Sequence, residues 1–163
     1  MKKSVNTLFS CEQCSLENED EGYVSRHEKA CIARHQEKVA SGQLTIGQAI
    51  AKLEKLPEEL CVIISAPGTE YEGFAPGNMD SYRGYYDQLS IAPDGGGETV
   101  KRLLVNLEGS IGSTYSGWKG GEYTMDKDTW IWISEVGVSS EIMLVDICLS
   151  PDGKVVHLVG KKA

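Results

Sequence analysis

Cys11, Cys14, His27 and Cys31 stand in the pattern C-x2-C-x12-H-x3-C near the start of a chain of 163 residues. A zinc ion takes four soft or borderline ligands at the corners of a tetrahedron. Two cysteines on a tight knuckle supply one edge of it, and two residues one helical turn apart supply the other. The spacing meets both requirements, so Cys11, Cys14, His27 and Cys31 are the expected metal ligands and Zn the expected cofactor. His35 lies one further turn along the same predicted helix, so the fourth ligand is Cys31 or His35, with Cys31 the closer match.

The pattern resembles the CCHC variant of the small ββα zinc finger over about 25 residues. Phe9, two before the first cysteine, and Val24, three before His27, stand where that family places core hydrophobes. The aromatic that usually follows the second cysteine is missing, with Asn18 and Glu19 in its region, so an irregular hairpin is expected. The resemblance would put base-reading positions at Asp20, Tyr23 and Arg26. Glu17, Glu19, Asp20 and Glu21 would then face the phosphates, so the expected role is structural or protein-docking and nucleic acid is not the expected partner, with a zinc-finger nucleic-acid-binding regulator kept as an alternative.

A second concentration of chemistry lies further on. Met79 to Asp87 packs three of the seven tyrosines around Arg83, and Gly117 to Thr124 repeats the theme with Trp118, Lys119 and glycines. Aromatic faces stack on planar rings, an arginine fork grips phosphate or carboxylate, and glycine lets a ligand approach the backbone. Ser81, Tyr82, Arg83, Tyr86, Trp118, Lys119, Gly120 and Gly121 are therefore the candidate ligand-binding residues, for a small anionic or nucleotide-like molecule. The alternative is that the tyrosines are packing residues and the glycines turn positions.

The segments SYRGYYDQLSIAP, LEGSIG and GWKGGEYTMDKDTWIW resemble small uncharacterised proteins of tailed bacteriophages and prophages, over about residues 57 to 148. What the resemblance implies is a phage accessory protein in the bacterial cytoplasm that sequesters a nucleotide signal or binds a host protein.

Two expected domains position these residues: a CCHC module over 1–42 and an α+β binding domain over 43–163. Thr45 and Gln48 form a capping box ahead of Ile46, Ile50, Leu53 and Leu56, and Pro57 stops that helix. CVIISA reads as a buried strand, and residues 66–97 as a long loop with little regular structure. Val100, Leu103, Leu104, Leu107 and Ile111 share one face of a second helix; Gly95, Gly96 and Gly97 before its start read as a solvated turn, with an anion site at the helix start the less expected alternative. WIWISEV alternates as a strand covered on both faces. EIMLVDICL and KVVHLV are joined by Ser150-Pro151-Asp152-Gly153, a hairpin signal. The expected fold is a mixed, largely antiparallel sheet with one or two packed helices.

Composition narrows the function. The net charge is -8, and residues 57–163 hold eight basic against 16 acidic side chains. A surface of that sign repels a phosphate backbone but could engage a basic host protein. The mean hydropathy of -0.26, the absence of a spanning apolar run and the lack of a secretory signal at MKKSVNTLFS point to a cytoplasmic chain without a membrane partner. Cys61 and Cys148, in apolar runs, are expected in the core. No nucleophile elbow, P-loop, G-x-G-x-x-G or H-E-x-x-H occurs, so no catalytic residue is assigned and an enzyme is the less expected class. A homo-oligomer is compatible with a small binding domain.

Overall fold

A computed structural model of the chain describes residues 9, 10, 17, 18, 25, 26, 29, 30, 33, 36 and 39–163. The chain divides into two compact units, residues 1–41 and 42–163. In the first, β1 (Phe9–Ser10) pairs antiparallel with β2 (Glu17–Asn18), Phe9 opposite Asn18. Residues 25, 26, 29, 30, 33, 36 and 39–41 are helical. Cys11, Cys14, His27, Cys31 and His35 lie outside the described residues.

The second unit is a mixed α+β domain. Its strands are β3 (Cys61–Ser65), β4 (Met79–Tyr82), β5 (Tyr85–Ile91), β6 (Glu98–Thr99), β7 (Thr114–Ser116), β8 (Glu122–Thr124), β9 (Ile131–Ile133), β10 (Ile142–Leu149) and β11 (Val155–Lys162). Its helices are α1 (Ile46–Leu53) and α2 (Val100–Ser110). Seven strands form one sheet in the order β4-β5-β9-β10-β11-β3-β6, while β7 and β8 make a separate hairpin. The pairings are antiparallel except β5 with β9 and β11 with β3. Among the described residues no helix is long and apolar enough to cross a membrane.

The two helices pack on each other, α1 also touches β10, and their apolar residues join those of one sheet face. The capping box starts α1 as its sequence predicts: Thr45 Oγ1 accepts from the Gln48 amide at 3.3 Å and Gln48 Oε1 accepts from the Thr45 amide at 2.9 Å. The next two amides, otherwise unpaired at a helix start, donate to the Thr129 and Lys127 carbonyls at 2.9 and 2.8 Å. Ile46, Ala49 and Leu53 are then buried against Val62, Ile64, Leu144, Val156 and Leu158. Each such aliphatic side chain contributes roughly 1.5–3 kcal/mol on burial. From α2 come Val100, Leu103 and Leu107, with Leu104 partly buried. Ile111, expected on that face, is exposed because the chain leaves the helix there in an extended conformation.

Two further expectations are corrected. Residues 66–97 contain the β4–β5 hairpin, its register shifting between Ser81 and Tyr82; the prolines at 67, 76 and 93 flank the hairpin and do not interrupt it. Cys61 and Cys148 are exposed. Their neighbours Val62 and Ile147 face the helices, and strand alternation turns both thiols to the opposite face, which carries no helix of this unit. The β10–β11 hairpin closes as expected, with Ser150 N donating to the Val155 carbonyl at 2.8 Å and Gly153 at a φ of 72°.

Candidate functional site

The two aromatic, glycine-bearing segments are brought together. At the β4–β5 turn, Arg83 and Gly84 connect Tyr82 to Tyr85. A Cβ on Gly84 would stand 2.4 Å from the Tyr82 ring, so the turn admits only glycine at that point. Tyr82 is 1% exposed and stacks flat on Trp132, centroids 4.4 Å apart and planes 6° off parallel. Its hydroxyl accepts from the Glu141 amide at 3.1 Å, and burial raises its pKa against the pull of that bond. Trp132 Nε1 donates to Gln88 Oε1 at 2.6 Å. Tyr85 extends the stack outward, 6.0 Å from Trp132, and is exposed.

Gly117 to Thr124 meets this hairpin from the β7–β8 side. Trp118 Nε1 donates to the Ser81 carbonyl at 3.1 Å. The far edge of its ring lies over Gly137, where a Cβ would be 3.2 Å away; Gly137 also has a φ of 79°. Arg83 Nη1 donates to the Gly137 carbonyl at 2.9 Å. Gly137 is thus the point on which Trp118 and Arg83 converge. Trp118 remains 42% exposed, and Val136 and Val138, either side of Gly137, are 44% and 40% exposed. These groups form an aromatic and basic ledge.

The other candidate residues divide between packing and surface. Ser81 is buried and its hydroxyl donates to the Tyr86 carbonyl at 2.7 Å. Tyr86 meets Tyr123 edge-on at 5.9 Å, and a Cβ on Gly117 would be driven into the Tyr123 ring at 2.7 Å. Lys119, Gly120 and Gly121 are exposed beyond β7, with Gly120 and Gly121 at φ of 94° and 85°. Gly117 N closes that turn on the Gly121 carbonyl at 2.9 Å. The sequence did not single out Trp132, Gln88, Tyr85 or Gly137 as parts of one ledge. The pairing of β5 with β9, which places Ser90 beside Trp132, has no local sequence signal.

The α2 start departs from the anion-binding possibility. Val100 N donates to the Leu60 carbonyl, Lys101 N to that of Glu58, both at 3.0 Å, and Arg102 N to Thr99 Oγ1 at 3.3 Å. With its first amides engaged, the helix N-terminus has little left to offer an anion. Among the described residues, no cluster of three or more His, Cys, Asp or Glu is placed to hold a metal ion.

Comparison of the chain with protein-family models, with curated proteins and with solved structures gives no match in any of the three.

Proposed function

We propose that this protein is a non-enzymatic binding protein, stabilised by a zinc module and belonging to the accessory repertoire of a bacteriophage, that works in the bacterial cytoplasm. The zinc reading rests on the Cys11, Cys14, His27, Cys31 spacing, and the strand–strand–helix order of the described residues around those positions supports it. The binding reading rests on one observation. Trp118 is half-exposed yet held at both edges, by Ser81 and by Gly137, beside an arginine fixed on the same glycine.

A pre-positioned indole loses little conformational entropy on binding, and Arg83 adds a planar cationic fork. The ligand class that suits both is a small, anionic, ring-containing molecule. Native mass spectrometry of the protein purified from the bacterial cytoplasm tests both parts together. One zinc per chain and a co-purified mass of a few hundred daltons, lost from Arg83→Ala and Trp118→Ala, is the expected result. A chain without metal overturns the zinc module, and retention of the same mass by both variants overturns the ledge.

The exposed Val136 and Val138 beside Trp118 favour a second reading, docking of a host protein on the same ledge, since tryptophan and arginine with apolar surroundings are typical interface anchors. A zinc-bearing protein without a small co-purified mass, but with a partner captured by wild type and lost from Trp118→Ala, selects that reading. Capture that survives Trp118→Ala and weakens steeply with salt selects instead the acidic surface as the contact.

A further inference from the structure

Among the described residues, one non-glycine residue has a left-handed backbone: Glu141, at a φ of 59°. Glycine enters that region freely and asparagine or aspartate at small cost, but a glutamate Cβ there crowds its own backbone. Such a conformation persists only where the surroundings impose it.

Here they impose it from both sides. The Glu141 amide donates to the Tyr82 hydroxyl at 3.1 Å, and the Glu141 carbonyl accepts from the Ala163 amide at 2.8 Å. Tyr82 is itself fixed, 1% exposed and stacked on Trp132. The peptide units before and after the Glu141 Cα are therefore pinned to two different places, one in β4 and one just past β11. A turn of φ into the relaxed region would swing one of these groups off its partner.

The rest of the loop at residues 134–141 is tied as well. Ser134 Oγ donates to the Val138 carbonyl at 2.7 Å, Val138 N to the Glu135 carbonyl at 3.1 Å, and Ser140 Oγ to the Ile133 carbonyl at 2.5 Å. The Glu135 amide faces the hydroxyl of Tyr71, a second buried tyrosine. What the loop presents between these ties is Gly137, with the Trp118 ring over it and Arg83 on its carbonyl.

We propose that Tyr82 and Glu141 are positioning residues of the ledge: the Tyr82 hydroxyl holds Glu141 in its strained conformation, and that conformation sets Gly137 where Trp118 and Arg83 converge. The proposal rests on the reading of the ledge as a binding surface, and it adds what keeps that surface in shape before a ligand arrives. Rigidity in the free protein lowers the entropy lost on binding.

Fluorine NMR of the full chain labelled with 5-fluorotryptophan tests this, the Trp118 line being identified by its loss from Trp118→Phe. In Tyr82→Phe the ring still stacks on Trp132 but nothing accepts from the Glu141 amide. The Trp118 line should then move at least halfway toward the shift of the free amino acid, while the Trp130 line stays in place and reports an intact fold. Ala163→Pro, at an exposed position, removes the donor on the other side and should move the Trp118 line the same way, less far. Adding Glu141→Gly to Tyr82→Phe should bring the line most of the way back, because glycine takes a positive φ without strain and needs no clamp.

A Trp118 line unmoved in both Tyr82→Phe and Ala163→Pro overturns the proposal. So does a line that moves in Tyr82→Phe and is not restored by Glu141→Gly, which would make Tyr82 a packing residue only. The spectrum is read without a ligand, so a ledge that retains no co-purified mass overturns the binding reading by a separate measurement.

Discussion

On the sheet face that α1 and α2 cover, Val62, Ile64, Leu144, Val156 and Leu158 are fully buried aliphatics packed on helix aliphatics. On the opposite face, the β5–β9 end is closed by Tyr82 stacked on Trp132, with Met143 and Val145 beside them. Its β11–β3 end is half-exposed at Val155, His157, Val159 and Ile63, and exposed at Cys61 and Cys148. The first face is held by shape and apolar area, which need no directional partners. The second is closed by large rings whose polar atoms must be satisfied: the Tyr82 hydroxyl by Glu141 and the Trp132 indole by Gln88. That requirement fixes the hairpin that carries the ledge.

The largest expected effect lies on the aliphatic face. Leu144→Ala should cost about 2–5 kcal/mol in chemical denaturation, whereas Leu149→Ala, in the exposed end of the same strand, should stay within about 0.5 kcal/mol. Equal losses would break the comparison. Next comes the directional face. Trp132→Phe keeps a ring but removes the donor to Gln88 and should cost about 1–3 kcal/mol; an unchanged denaturation midpoint would mean that area alone holds this end too.

Glu98, opposite Val62 in the β3–β6 pair, is the one carboxylate buried among the described residues. Its folded-state pKa is raised by burial, so between the unfolded and folded values the native chain holds a proton that the unfolded chain has released. Stability therefore falls as pH rises through that window, and the full penalty applies above it. Glu98→Gln should melt higher than wild type at neutral pH, with the gain vanishing below the ordinary glutamate range. Melting curves across pH that stay parallel would show that the carboxylate is not desolvated in the folded protein. The smallest effect belongs to the uncovered end: Cys61→Ser and Cys148→Ser should each shift stability by less than about 0.5 kcal/mol. Both thiols should react with iodoacetamide in the folded protein, read by intact mass. Protection of either thiol would place it under cover.

Elements whose signals are local were legible in the chain. The Thr45–Gln48 box, the apolar face of α2 through Leu107 and the Asp152-Gly153 turn all form as their residues predict. The β4–β5 hairpin was hidden because Pro76 and Pro93 bracket it closely and its tyrosines blur the alternation. The meeting of Trp118 with Arg83 could be suspected from composition, but Gly137, 54 residues beyond Arg83, could not.

The sequence by itself determined where helices start, which faces are apolar, where the chain turns and which four residues have metal-ligand spacing. These depend on neighbours within a few positions, where propensity, capping and periodicity act. Only the tertiary structure decided the two parallel pairings, which side of the sheet Cys61 and Cys148 face, and which carboxylate is buried. Those outcomes depend on which distant strand lies alongside, and strand register, unlike helix periodicity, is set by a partner that the local sequence does not name.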